Sequence, residues 1–336
     1  MKTTRIQMDH GAGGRASQDL VASIFMPALA NPILTQLNDS ALLEFQGVRL
    51  AMSTDSYVVD PIFFPGGDIG SLAVHGTVND LAMRGAQPIY LSAGFILEEG
   101  LQLPDLERLV SSMAKAAQEA GVQVVAADTK VVEKGKADRI FINTAGVGTI
   151  PPDVDVAGQN AKPEDVILIN GPMGDHGIAV LSTREGLSFQ TAIKSDSAAL
   201  NGLVAAMLET SSKVHVLRDP TRGGVATALN EVAKQSGVGI ELEESSLPVR
   251  TEVSAACEML GLDPLYVANE GKVLVLVAPE EAELVLNTMR QHPLGQEACI
   301  IGKAVSEHPG RVVLQTGIGG RRIVDMLSGE QLPRIC

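Results

Sequence analysis

Val214-His215-Val216-Leu217-Arg218-Asp219-Pro220-Thr221-Arg222-Gly223-Gly224-Val225 is the stretch on which the architecture turns. Val214 to Leu217 reads as a short strand, and a helix follows from about Gly223 to Gln235. A strand that runs through a glycine turn into a helix is the unit of α/β packing. The turn also carries chemistry. Asp219 is a candidate metal ligand and Thr221 a donor, and Arg218 and Arg222 flank a helix N-terminus whose free N–H groups favour anions. A capping box would also account for Asp219 and Thr221. The paired arginines beside the glycines favour phosphate handling.

Working outward, the second half holds more such units. Asp165 to Asn170 is a strand, followed by the Gly171–Gly177 turn and a helix through Leu187. His176 in that turn reads as a cap or loop residue. Ser197 to Leu208, Glu252 to Leu260 and Glu280 to Arg290 read as helices, and Gly310 to Leu314 as a last strand. Asn269-Glu270-Gly271-Lys272 stands directly before the apolar strand Val273 to Val277. Glu270 there is either a placed base or a turn acid. Pro151-Pro152 marks a domain boundary, with a polar linker to about Pro163. The expected domains are 1–150, 151–320 and a mobile tail over 321–336.

The first half opens with His10-Gly11-Ala12-Gly13-Gly14-Arg15-Ala16 ahead of a helix over Ser17 to Leu29. This is neither a G-x-G-x-x-G nor a Walker A loop, and it reads equally as a flexible turn or as a close approach to a ligand. Arg49 to Val59 is a strand with Asp55 inside it, where carboxylates are depleted. Ile69 to Ala86 is a helix bearing Asn79-Asp80, and Asp80 is either a site residue or an i,i+4 partner of Arg84. Pro88 to Leu97, Val122 to Val132 and Arg139 to Ile150 are strands, and Pro104 to Ala120 is an amphipathic helix. Asp128 and Lys130 stand two apart and therefore share one face of their strand. Asn143 and Thr144 interrupt the next one.

Composition limits the function. The 336 residues carry a net charge of −14, so a polyanionic partner is repelled. Aromatic content of 3% without tryptophan argues against stacking platforms for single-stranded nucleic acid. No apolar run approaches a membrane span. Cys257, Cys299 and Cys336 are too widely spaced for a zinc site or disulfide scaffold and suit a reducing cytosol; Cys257 and Cys299 read as core. Asp55, Asp80, Asp128 and Asp219 fall on separate elements without thiolates or histidines, a donor set for a hard cation such as Mg2+. Glycine turns with Lys130, Arg218 and Arg222 supply counter-charge for a triphosphate. The sum is a Mg-nucleotide site that is not a P-loop.

Ser53-Thr54-Asp55-Ser56, Asn79-Asp80, Ala127-Asp128-Thr129-Lys130, Arg218-Asp219-x-Thr221-Arg222-Gly223-Gly224 and Asn269-Glu270-Gly271-Lys272 resemble the ATP-binding superfamily of aminoimidazole ribonucleotide synthetase, selenophosphate synthetase and thiamine-phosphate kinase. With His10-Gly11-x-Gly13-Gly14 and the closing Leu332-Pro333-Arg334-Ile335-Cys336, the resemblance narrows to the HypE family, the carbamoyl dehydratases of NiFe-hydrogenase maturation. It implies an N-terminal α+β domain that forms a shared β-barrel in a homodimer, a C-terminal α/β domain and a flexible tail. It implies Asp55, Asp80 and Asp219 as Mg2+ ligands. Gly13, Gly14, Asp128, Thr129, Asn143, Thr221, Arg222 and Gly223 would bind ATP, and Lys130 and Glu270 would handle protons. Cys336 would receive a carbamoyl group from the carbamoyltransferase HypF, the thiocarbamate would be dehydrated to a thiocyanate, and the cyano group would pass to iron on a HypC–HypD complex. Leu332 and Ile335 are the apolar anchors for a docked tail. One departure is visible: Pro220 stands where a small residue such as alanine is expected, and it withdraws an N–H. A kinase or synthetase for a diffusible small molecule, and a nucleotide-gated adaptor without catalysis, are the competing readings.

Overall fold

The structure, a computed structural model, describes residues 5–187, 193–329, 331–332 and 334–336. Pro333, expected to stiffen the tail, lies outside the described residues. The chain begins with a helical arm, α1 (Arg15–Leu20) and α2 (Met26–Leu29), joined by a π-turn over Val21–Phe25. Strands β1 (Ala41–Phe45) and β2 (Val48–Tyr57) and the short hairpin β3 (Phe63–Phe64) and β4 (Gly67–Asp68) lead into α3 (Ile69–Met83). Then come β5 (Gln87–Glu98), α4 (Leu103–Ala120), β6 (Gln123–Val132) and β7 (Ile140–Thr149).

The first sheet has the order β1-β2-β7-β5-β6. Alternation along its strands gives it two unlike faces. Ala51, Ser53 and Tyr57 of β2 and Ile140, Ile142 and Thr144 of β7 point inward, toward α3 and α4. The opposite face is bare. Phe45, Val48, Met52, Tyr90 and Ile96 lie on it, each more than two-fifths exposed. The edge strand β6 is exposed over nearly its whole length.

Helix α3 is buried along almost all of its surface, which is why no amphipathic stripe marks it in the sequence. Asp68 caps its first turn, accepting from Gly70 N at 2.9 Å and Ser71 N at 3.0 Å. Leu72, Val74, Val78 and Leu81 are wholly buried, and each such side chain contributes about 1.5–3 kcal/mol. Helix α3 is therefore a fixed rod on which Asn79 and Asp80 are mounted. Helix α4 has the opposite design, with one apolar face, Pro104 in its first turn and Gly121 at φ 70° closing its end.

The second half contains β8 (Val166–Ile169), α5 (Asp175–Arg184), α6 (Asn201–Thr210), β9 (Val214–Arg218), α7 (Gly224–Ser236), β10 (Gly239–Glu243), α8 (Thr251–Leu260), β11 (Leu274–Val277), α9 (Ala282–Gln291), β12 (Cys299–Val305), β13 (Val312–Gln315) and β14 (Arg321–Val324). Seven strands form one sheet in the order β14-β13-β10-β12-β8-β11-β9. Only β10 and β13 run parallel within it. One face packs on α7 and the other on α6 and α9. The segment between the sheets is more firmly held than a polar linker: Val156 and Ala157 are buried, and Val156 packs with Ala82 and Met83 of α3.

One expectation changes, and one strand is new. Strand β1 lies in a stretch that carried no sequence reading. The tail expected from residue 321 begins later, because Arg321–Val324 pair with β13 and Met326 and Leu327 are buried. Among the described residues no helix is long and apolar enough to cross a membrane.

Candidate active site

Three carboxylates converge where the two halves meet. Asp39 precedes β1, Asp80 projects from α3, and Asp219 follows β9; an oxygen of each lies within 4.8 Å of the others. Ser53 Oγ on β2 donates to Asp80 Oδ2 at 2.7 Å. Arg84, the possible i,i+4 partner of Asp80, turns instead to the Val156 carbonyl and to Asp155. Burial pushes all three carboxyls upward: Asp39 to about 6, opposed by Arg218 and helped by Glu231; Asp219 to about 7, helped by Asp39; and Asp80 well above its ordinary value, helped by Asp219 and Asp39. Hard oxygen donors, closely spaced and short of positive charge, fit a divalent cation of the Mg2+ type. Asp55, expected as a ligand, stands outside this trio. Its Oδ1 accepts from Ser56 N at 2.7 Å, and Arg222 partly offsets the upward shift that burial causes. Nothing in the sequence around Asp39 marks it for this role.

The arginines of the opening stretch divide their work. Arg218 lines the acidic hollow, and its guanidinium is engaged by carboxylates. It pairs with Asp39 at 2.7 Å and with Glu231, and so braces the acidic trio. Arg218 and Arg222, with Gly13, Thr221 and the three aspartates, line a hollow of about 150 Å³. Arg222 Nη1 donates to Gly11 O at 3.0 Å, which ties the N-terminal glycine loop to the turn before α7. Gly13, at φ 76°, lies so close that a Cβ there would stand 2.7 Å from Arg222 Cβ. Gly14 packs on the Leu327 carbonyl, and Gly223, at φ 78°, opens α7. The missing N–H at Pro220 is matched by use of its carbonyl, which accepts from Asn269 N at 3.2 Å and Asn269 Nδ2 at 2.9 Å.

Glu270, next to that asparagine, is buried, and its Oε1 has no hydrogen-bond partner among the described residues. Burial first, then Asp219, Asp196 and Asp55, raise its carboxyl well above the ordinary range, while Arg222 opposes them. Asn79 Nδ2 donates to the Glu270 carbonyl at 3.3 Å and to that of Ala198 at 3.0 Å, which clamps this strand entry onto α3.

The tail is docked into the same place. Val58 N donates to Cys336 O at 3.0 Å, His176 Nε2 meets Ile335 O at 3.0 Å, and Arg184 Nη2 donates to Arg334 O at 2.7 Å. Arg334 also pairs with Asp138 at 2.7 Å. Ile335 is buried in the N-terminal core and Leu332 packs against it, as expected for anchors. Burial pushes the Cys336 thiol up to about 12; Arg222 opposes this, and Glu270, Asp55 and Asp80 add to it. Cys336, Glu270, Asp55 and Arg222 are thus close enough to act on one another electrostatically, beside the acidic trio.

The remaining candidates lie elsewhere. Register places Ser56, Asn143, Gly94 and Asp128 in one row across the sheet. That row is on the bare face, opposite Ser53 and Asp55. Asn143 Nδ2 donates to Asp55 O at 2.8 Å and to Ser56 Oγ at 3.0 Å. Asp128 and Lys130 form an exposed pair at 2.6 Å on β6, with Thr129 exposed between them. Within one chain, Lys130 does not meet Glu270.

Two domain families match this chain: "AIR synthase related protein, N-terminal domain" over residues 37–150, and "AIR synthase related protein, C-terminal domain" over residues 162–315. The acidic trio draws Asp39 and Asp80 from the first and Asp219 from the second. The chain belongs to the AIR synthase related proteins. It is 57% identical to carbamoyl dehydratase HypE of Azotobacter vinelandii, over 100% of this chain and 98% of that protein. The HypE of a HypE–HypF complex superposes with a TM-score of 0.88 at 51% identity, covering 92% of this chain and 99% of that one. A HypE in complex with ATP gives a TM-score of 0.84 at 54% identity over 99% of this chain and 100% of that one. Within its superfamily the chain is thus a member of the HypE carbamoyl dehydratases.

Proposed function

We propose that this chain dehydrates a carbamoyl group carried on the Cys336 sulfur, consuming ATP and yielding a thiocyanate that supplies cyanide ligands to the iron of NiFe-hydrogenase. The observation that carries this reading is the burial of Cys336 beside Glu270, Arg222 and the acidic trio. The carbamoyl oxygen attacks the γ-phosphorus of ATP, and the bond to ADP breaks. The C–O bond then breaks as phosphate departs, and the nitrogen gives up both protons. The products are thiocyanate, ADP and phosphate, so the water is removed as part of the phosphate.

Each group has a task in this scheme. Asp39, Asp80 and Asp219 would hold Mg2+, which neutralises phosphate charge during transfer. Gly13, Gly14, Thr221 and Gly223 shape the phosphate cradle, and Arg222 supplies its positive side chain. Glu270, buried and unpaired, accepts a proton from the carbamoyl nitrogen. The enclosed pocket keeps water from the phosphorylated intermediate. The donor is a HypF-type carbamoyltransferase, in keeping with the HypE–HypF complex, and the acceptor is a HypC–HypD complex. The free cysteines suit work in the cytoplasm.

Intact mass spectrometry tests the reaction. Carbamoylated protein is expected to lose the mass of one water only when ATP and Mg2+ are both supplied. No loss under those conditions overturns the reading. A Cys336→Ser variant that keeps full ATP turnover would favour a diffusible substrate instead.

We infer from the bare sheet face that a second copy takes part in this scheme. An exposed apolar face beside an unpaired edge strand is a surface that needs a cover. A homodimer that joins two such faces buries Tyr90, Ile96 and Met52 and puts Asp128, Thr129, Asn143 and Lys130 at the seam. There Lys130 and Asp128 serve the nucleotide and the proton transfers that they do not reach within one chain. Tyr90→Glu with Ile96→Glu is expected to convert a dimer into a monomer by analytical ultracentrifugation and to abolish water loss. Wild-type protein that sediments as a monomer at micromolar concentration contradicts the arrangement.

A further inference from the structure

His176 is buried completely, yet its ring is not there only to fill space. Its Nε2 faces the Ile335 carbonyl at 3.0 Å, and its Nδ1 faces Ser195 Oγ at 2.8 Å. A carbonyl oxygen can only accept, so Nε2 carries a proton. Ser195 Oγ also accepts from Ser197 N at 3.1 Å, which leaves its own hydrogen for Nδ1. The three contacts form one directed chain from Ser197 N–H through Ser195 and His176 to the tail. They fix Nε2 as a donor to the tail, as in the neutral Nε2–H tautomer. Phe64 meets the ring edge-on with centroids 5.4 Å apart, so the ring is also held in orientation. Burial lowers the His176 pKa against the pull of nearby Asp196, which keeps the ring neutral.

The bond falls on the peptide carbonyl just before Cys336, and Val58 N takes the carbonyl of Cys336 itself. His176 stands on α5 in the second half of the chain, while Val58 follows β2 in the first. Successive carbonyls of the tail are thus gripped from the two halves. The geometry points to His176 as a positioning residue that holds the Ile335 carbonyl and so fixes how deep Cys336 sits beside Glu270 and Arg222. Its link to catalysis rests on the dehydration proposed above; its hold on the tail does not.

Alkylation by iodoacetamide tests that hold on the full chain. Rates are read separately for Cys336, Cys257 and Cys299 by peptide mass spectrometry, so the two other cysteines report on the fold. His176→Leu is expected to speed labelling of Cys336 by roughly 10-fold, equivalent to about 1.4 kcal/mol, with Cys257 and Cys299 unchanged. Single-turnover water loss should slow by a similar factor. His176→Gln keeps an N–H donor near the Nε2 position and should restore most of the protection. Ser195→Ala, which frees the tautomer, should fall between the two. If Cys336 labels at the wild-type rate in both His176→Leu and Ser195→Ala, the proposal is wrong. If His176→Leu unfolds and exposes all three thiols, His176→Gln and Ser195→Ala decide. Slow Cys336 labelling in the first with faster labelling in the second supports the hold, and equal rates in the two overturn it. Altered labelling with no water loss even in wild-type protein would sink the dehydratase reading and leave the tail grip standing.

Discussion

Glu270→Gln is expected to slow ATP-dependent water loss from the carbamoylated chain by about 10²–10⁴-fold, the usual contribution of a placed general base. The substitution keeps shape and removes only the ability to take a proton. Burial first, then the company of Asp219, Asp196 and Asp55, gives the wild-type carboxyl a raised pKa. A base must be ionised to act, so wild-type single-turnover rates should climb with pH through that raised value, and the variant should show no such rise. The stability effect has the opposite sign. The folded pKa lies above the unfolded one, so the stability linked to this group is fully present below its ordinary 4.5 and is lost as pH rises through the folded value. Glu270→Gln should therefore melt higher than wild type at pH 8, with the advantage gone at pH 4. A variant that is slow and also less stable at pH 8 would point to a structural acid rather than a base.

Asp219→Asn separates metal binding from folding. Asp219 lies within the acidic trio and is pushed up to about 7, by burial first and then by Asp39. The same linkage applies: its share of stability is intact below 3.8 and disappears as pH rises through about 7. In EDTA, wild-type protein should lose thermal stability between pH 5 and pH 8, and Asp219→Asn should flatten that slope. The full shift corresponds to on the order of 4 kcal/mol, and coupling to Asp39 and Asp80 spreads it over the three groups. At pH 8, Mg2+ should raise the melting temperature of wild type by several degrees and leave the variant unmoved, because a site short of one carboxylate no longer binds the ion in preference to the unfolded chain. ATP-dependent water loss should fall by at least about 10²-fold. Equal Mg2+ stabilisation in both proteins would remove Asp219 from the cation site.

The sequence carried the chemistry better than its arrangement. Asp80, Asp219, Thr221, Arg222 and Glu270 are legible because each interrupts or borders an element whose pattern is otherwise clear. Asp39 is not, since it sits in Asn38-Asp39-Ser40 before a short strand, and only the fold brings it to α3 and to the end of β9. Arg218 looked equivalent to Arg222 because both flank the same turn. The difference comes from Asp39 and Glu231, one far away in sequence and one on the following helix. Period-two spacing correctly put Asp128 and Lys130 on one face, but spacing alone does not say which face is covered. His176 read as a loop residue because its decisive partner, Ile335, is 159 positions away.

Beside the apolar anchors and the Arg334–Asp138 pair, the docked tail is held by its main chain at three successive residues: oxygens of Arg334, Ile335 and Cys336 meet Arg184, His176 and Val58. None of these handles is the sulfur. These three bonds are indifferent to cargo, so on the proposed function an empty tail and a loaded one would make them alike. Under the proposed function, traffic of the tail would therefore take its direction from outside those bonds, from nucleotide occupancy of the neighbouring cavity and from the partners that would load and unload the thiol.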